Sequence, residues 1–171
     1  LLYSKILYEY IFICNLMFFI GFLDDIKIKV SPSKRLLLMI LSLFLLIFFL
    51  PIKILNVDIP FLLDFLKVDI FSSIFVLLCF LFIINGANLI DGFNGLLAIN
   101  LIIINLILLY INISSGNNEF SLFLIAQIVI LLSFLLFNFP SAKIFLGDSG
   151  SYVMGTLVAL NSIITNNLNP S

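Results

Sequence analysis

Six apolar runs, each close to the length of a bilayer crossing, dominate the sequence: about 6–23, 36–51, 70–88, 95–111, 120–139 and 151–167. About 20 apolar residues in helical form span the hydrocarbon layer. Inside it every backbone N–H and C=O needs a partner within its own segment, so each run is expected to be a helix. The expected fold is all-α, a polytopic transmembrane helical bundle with about six spanning helices. At 63% hydrophobic and 10% charged, the 171 residues supply too little polar surface to coat a soluble domain. The net charge of −1 gives no electrostatic case for binding nucleic acid. The absence of histidine removes any mechanism that needs an imidazole from this stretch. Cys14 and Cys79 lie inside apolar runs and are expected to pack as small hydrophobes.

The chain opens at Leu1, already near-apolar, with neither the basic region nor the cleavage site of a signal peptide. It is read as an internal fragment, with residues 1–171 forming one integral-membrane domain. Residues 51–69, PIKILNVDIPFLLDFLKVD, are too polar to span. The alternation in IKILNVDI predicts a short hairpin or surface turn near 52–60. NISSGNNE, 112–119, reads as a polar turn, and its Asn-Ile-Ser sequon as chance. Glu9, Asn15 and Gln127 interrupt apolar runs and are expected to face neighbouring helices.

Three polar clusters remain: LDDIKIKVSPSKR, NLIDGFNG and FPSAKIFLGDSGS. Counting spans by parity puts all three on one membrane face and the two plain connectors on the other. The cluster side carries Lys27, Lys29, Lys34, Arg35 and Lys143, the other side Lys5, Lys53 and Lys67. This bias places the clusters in the cytoplasm.

Adjacent acids such as Asp24 and Asp25 at a helix end need cations nearby. They read either as a solvated helix end or as an acid pair that holds a divalent metal or takes a proton. The pair does not extend to DDxxD, since Ile28 holds the last position. Asn85, Asn88, Asp91 and Asn94 recur every third residue. Each step of three turns a helix by about 300°, so adjacent members are neighbours. Gly92 and Gly95 predict that the helix ends there. Helix–helix glue accounts for one or two Asn, but not for an Asp followed by glycines. In FLGDSGS, the GDSG string does not mark a serine protease, because no His exists to serve it. Asp148 reads as a Gly-flanked acid opening the last helix, where N–H groups suit phosphate and the carboxylate suits Mg²⁺. A plain Asp148-Ser149 cap is the alternative. Four acids, Asp24, Asp25, Asp91 and Asp148, would repel one another without a cation. Oxygen ligands sharing a site with phosphates favour Mg²⁺, with Mn²⁺ as an alternative. The chemistry this suggests is phosphoryl transfer.

Together, GFLDDIKIKVSPSKRLLL, NGANLIDGFNGLLA and FNFPSAKIFLGDSGSYVMG resemble the polyprenyl-phosphate N-acetylhexosamine-1-phosphate transferases. That family includes the peptidoglycan translocase and enzymes that start O-antigen and related glycans. The resemblance spans nearly the whole chain. It implies a multi-pass enzyme of the bacterial inner membrane, with a cytoplasmic site, that transfers a sugar 1-phosphate from a UDP-sugar to a polyprenyl phosphate and releases UMP. It implies Asn88 and Asp148 at the metal and Asp24, Asp25 and Asp91 as catalytic acids. It further implies Asn94 and Phe145 at the uracil, Lys34 or Arg35 at lipid phosphate, and Asn138 among the substrate-binding residues. The family's N-terminal helices and its later His-containing loop lie outside this stretch. Asn94 stands where the peptidoglycan branch usually has Asp, which turns the expectation towards a GlcNAc-type sugar and away from UDP-MurNAc-pentapeptide. Homodimerisation is left open. Two other classes compete, a transporter with an Asp/Asn-lined cation path and a purely structural subunit. A transporter requires polar groups at the midplane, whereas these acids fall at helix ends.

Overall fold

The structure, a computed structural model, describes residues 2–26, 30–50, 52–55, 57 and 59–169; the side chains of residues 2–7 and 9 lie outside that description. The expectations for Lys27 and Lys29, and for the side chains of Lys5 and Glu9, therefore fall outside that description. The elements are α1 (Leu2–Asp25), α2 (Pro32–Phe49), α3 (Pro60–Leu66), α4 (Asp69–Ile90), α5 (Leu96–Ser114), α6 (Asn118–Asn138) and α7 (Gly147–Leu168). Every expected span becomes a helix, so the all-α bundle holds.

The side chains of residues 2–7 and 9 in α1 lie outside the count of spans. Among the described residues four helices, α2, α4, α5 and α6, are long and apolar enough to cross a membrane, where six spans are expected. They are apolar almost all round, as lipid-facing helices are, and leave Phe48, Phe82, Tyr110 and Leu136 pointing outward. α7 is the informative exception. It packs against α1, α4 and α5, and its buried residues include Ser149, Ser151, Gly155, Thr156, Asn161 and Thr165. Small and hydroxyl residues let helix backbones approach inside a membrane bundle. α7 is less apolar than the other long helices, and its inward face meets protein.

For residues 52–60 the hairpin, one of the two expectations, is corrected. The described residues there form no strand, and α3 follows at once from Pro60. Proline's fixed φ suits a first helical position. The Leu55 N–H donates to Asn167 Oδ1 (2.9 Å), and Asn167 Nδ2 to the Lys53 carbonyl (2.8 Å). These groups are satisfied by the C-terminal end of α7 instead of by a second strand.

Midway along the bundle, α1, α5, α6 and α7 share an uncharged polar network. Tyr10 Oη donates to Asn161 Oδ1 (2.5 Å). Asn161 Nδ2 donates to Asn105 Oδ1 (3.0 Å) and Gln127 Oε1 (2.8 Å). All four side chains are buried. Gln127 thus faces other helices as expected. Asn15 does not: it is exposed and returns its amide to the Ile11 carbonyl of its own helix (2.6 Å). Cys14 and Cys79 are both free thiols.

Candidate active site

α1 and α4 end, and α2 and α7 begin, at one end of the bundle. That shared end brings the polar clusters together. The connector residues Lys53 and Asp69 pair at the other end (2.6 Å).

Pro32 in the first turn starts α2 and sets Arg35 one turn in. Arg35 Nη1 donates to Asp24 Oδ2 (2.7 Å) and to Asp148 Oδ2. One guanidinium thereby joins α1, α2 and α7. From α4, Asn88 Nδ2 donates to Asp148 Oδ1 (2.8 Å) and to Ser151 Oγ (2.9 Å). Both oxygens of Asp148 are held, one by an amide and one by a cation.

Asp25 turns elsewhere. Its Oδ1 accepts the Asp148 N–H (2.9 Å), and its Oδ2 accepts the Ser149 N–H (3.0 Å) and hydroxyl (2.5 Å). Partial burial works against its charge, but these hydrogen bonds outweigh it and hold the carboxyl below its ordinary range. The amides of Asp148 and Ser149, expected to suit phosphate, face Asp25 here. The Asp148-Ser149 cap alternative fails: the capping position is Leu146, which has no side-chain cap bond.

Asp24 behaves oppositely. Partial burial, then hydrogen bonding with Asp148, push its carboxyl up against the pull of Arg35. Asp91 follows the last turn of α4. Burial, then the charge of Asp148, push its carboxyl up as well. Asp91 therefore lies within electrostatic reach of Asp148. Asn85 does not join this group; its amide bonds the Leu81 carbonyl of its own helix (2.7 Å).

The turn 91–95 is tied to the loop after α6. Asn94 Nδ2 donates to the Pro140 carbonyl (3.0 Å), and the Gly95 N–H to Asn138 Oδ1 (2.5 Å). Asn138 Nδ2 in turn donates to the Ile144 carbonyl (2.8 Å). Buried Asn138 is a clasp for this rim, with both ends of its amide turned to backbone. Phe145, on the same loop, is 69% exposed and presents a bare ring. Lys34 is exposed beside Arg35, while Arg35 itself is turned to carboxylates. Sequence reasoning missed Ser149 and Ser151, which hold Asp25 and Asn88. The signal was there, since both stand within two turns of Asp148 in GDSGS. Gly21, in the last turns of α1, carried no signal.

The donor set suits a hard cation. Among the described residues no three acidic side chains form an all-protein metal cage. Mg²⁺ does not require one: it takes one or two carboxylates and completes its shell with phosphates and water. Asp24 and Asp148, joined through Arg35, offer such a pair. A groove of about 360 Å³ between α2 and α4 is lined mainly by apolar side chains such as Phe44, Phe48 and Ile74. Its carboxylate, Asp69, pairs with Lys53 at the opposite end of the bundle from Asp148.

Comparison with known proteins bears on the same residues. The family model described as glycosyl transferase family 4 matches residues 7–166. The phospho-N-acetylmuramoyl-pentapeptide-transferase of Clostridium perfringens (strain 13 / Type A) is 34% identical over 154 residues, covering 85% of this chain and 49% of that protein. The protein of the same name from Clostridioides difficile (strain 630) is 32% identical over 161 residues, covering 88% and 50%. That from Streptococcus uberis (strain ATCC BAA-854 / 0140J) is 34% identical over 155 residues, covering 85% and 45%. The chain spans about half the length of the curated relatives it matches.

Proposed function

Because the chain belongs to glycosyl transferase family 4, we propose that the complete protein moves a sugar 1-phosphate from a UDP-sugar to a membrane polyprenyl phosphate. An oxygen of the lipid phosphate attacks the sugar-bearing β-phosphorus. The bond from that phosphorus to the bridging oxygen breaks, and UMP leaves with the oxygen. The observation that carries the reading is the meeting of Asp24, Arg35, Asn88 and Asp148, from four helices, at one end of an otherwise apolar bundle.

Each residue then has a task. Asp148 and Asp24, with Asn88 alongside, would hold a divalent cation. When bound, that ion would offset the charge gathering on the diphosphate as UMP departs. Arg35, drawn to carboxylates here, is within reach of an incoming phosphate. Asp91, pushed towards the protonated form by burial and by the charge of Asp148, is the acid suited to hold a proton from the lipid phosphate, while Asp24 stays with the cation. Asn94 and exposed Phe145 form the rim on which the uracil would rest. The mid-bundle network is a weak basis for a cation path, since Tyr10, Asn105, Gln127 and Asn161 are uncharged and bond one another.

Two donors are to be compared. The names of the relatives favour phospho-MurNAc-pentapeptide, whereas Asn94 favours a plain N-acetylhexosamine such as GlcNAc. Membranes containing the complete enzyme, given each UDP-sugar in turn with undecaprenyl phosphate, are expected to release UMP with one of the two. Release with neither, or without added lipid phosphate, overturns the proposal.

We place the site on the cytoplasmic face, on the bias of Lys and Arg towards the side of the polar clusters. Ser31, exposed at the start of α2 beside Arg35, reports on this. A cysteine replacing Ser31 is expected to react with a membrane-impermeant thiol reagent only in inside-out vesicles. Labelling of intact cells would reverse the orientation.

A further inference from the structure

We propose that Asp25 is a positioning residue and not a proton acceptor: its carboxylate caps α7 from outside and so fixes the place of Asp148. The inference deepens the transferase reading and rests on it for the importance of Asp148, while the cap itself stands on geometry.

The first N–H groups of a helix have no partner within the helix. A residue at the capping position usually supplies an oxygen, but that position before α7 is Leu146, whose side chain cannot. Asp25, 123 residues earlier in the chain, takes the Asp148 N–H on one oxygen, and the Ser149 N–H and hydroxyl on the other. A carboxylate at this point also answers the positive end of the helix dipole.

Two glycines make the approach feasible. A Cβ on Gly21, one turn before Asp25, would lie 2.5 Å from the backbone carbonyl of Asp148 and from Cα of Ser149. Only hydrogen fits there. Gly147 has φ +68°, a left-handed conformation, and a Cβ on it would meet the Asp25 oxygens at 2.8 and 2.9 Å. The end of α1 and the start of α7 thus touch backbone to backbone, with the Asp25 carboxylate closing the joint. Neighbouring residues on a helix point about 100° apart. Asp24 accordingly faces Arg35 while Asp25 faces the amides of α7. The acid pair divides into one member turned to the charged cleft and one that holds the frame.

The test uses the complete protein in detergent. Asp25→Asn sets an amide N–H against one of the α7 donors. Hydrogen exchange at 148–150 is expected to rise about tenfold, the scale of a lost cap; unchanged exchange overturns the proposal. Asp24→Asn should leave that exchange as it was. A milder variant guards against failure to fold. Ser149→Ala is expected to slow turnover several-fold in the parent protein and hardly at all in the Asp25→Asn background. Equal factors in both backgrounds would mean that Asp25 acts independently of α7, and the proposal falls. Gly21→Ala removes no functional group, yet it should raise the same exchange and lower turnover about a hundredfold, the cost of displacing a site by about 1 Å. Normal turnover in Gly21→Ala counts against the positioning role. Exchange needs no substrate, so a protein that shows the expected exchange but transfers no sugar would keep the cap and lose the transferase reading.

Discussion

Asp148→Asn, introduced into the complete protein, is expected to lower UMP release by about a thousandfold or more, the scale of removing a group aimed at developing charge. The change is nearly isosteric, so packing should survive. What is lost is charge and one acceptor. Asp148 presently receives the Asn88 amide on one oxygen and Arg35 on the other. An Asn there must turn its own N–H₂ towards one of these donors. Arg35 keeps Asp24 as its remaining partner, and a divalent ion would lose one of its carboxylates. The measurement is UMP release against Mg²⁺ concentration, beside a thermal melt showing the variant still folds. Full activity at ordinary Mg²⁺ would sink the assignment of Asp148 to the metal.

Much of this site was legible before any helix was placed. Span parity put Asp24, Asp91 and Asp148 on one face, and hydrogen bonds or electrostatics now link each to the same centre. Parity works because a bilayer gives a helix only two ends. The division of labour within Asp24-Asp25 was not legible. Both are carboxylates at a helix end, and only the packing of α1 on α7 decides which amides each one meets. Asn138 illustrates the same limit. Its place in FNFPSAK resembles a substrate-binding position, yet burial between Gly95 and Ile144 turns it into a clasp. Asn94 lies on the turn after α4, bonded to the Pro140 carbonyl, and Phe145 is exposed on the loop after α6.

Gly155→Leu is expected to cost stability and turnover together. A Cβ at Gly155 would come within 2.8 Å of Ile84 Cα, 3.1 Å of Ala87 Cβ and 3.2 Å of the Ile83 carbonyl oxygen. Ile84 Cα is backbone, so α4 itself must move. Overpacking of this kind costs about 1–3 kcal/mol, or roughly 5 °C in melting temperature for a chain of this size. The larger consequence is for the site. Ile84 lies one turn before Asn88 on α4, and Gly155 two turns after Asp148 on α7. Pushing the helices apart should break the contact between Asn88 and Asp148, whose present length is 2.8 Å. Gly86→Ala, also on α4, is the control, because a Cβ there meets nothing within 4 Å. A Gly155→Leu protein that melts and turns over like the parent would show that this crossing is not the constraint described.

The sequence by itself determined the class of solvent, the helices and which polar groups share a membrane face. Those follow from local rules: apolar length, backbone satisfaction in hydrocarbon, and helix-breaking glycines. The tertiary structure decided which helix stands at the centre, which acid caps and which faces Arg35, and which asparagines are scaffold. Each of those depends on the direction of a side chain across a helix crossing. At Gly21 and Gly155 the crossings are so close that only a hydrogen atom fits, and no pattern within one helix records the partner on the other side.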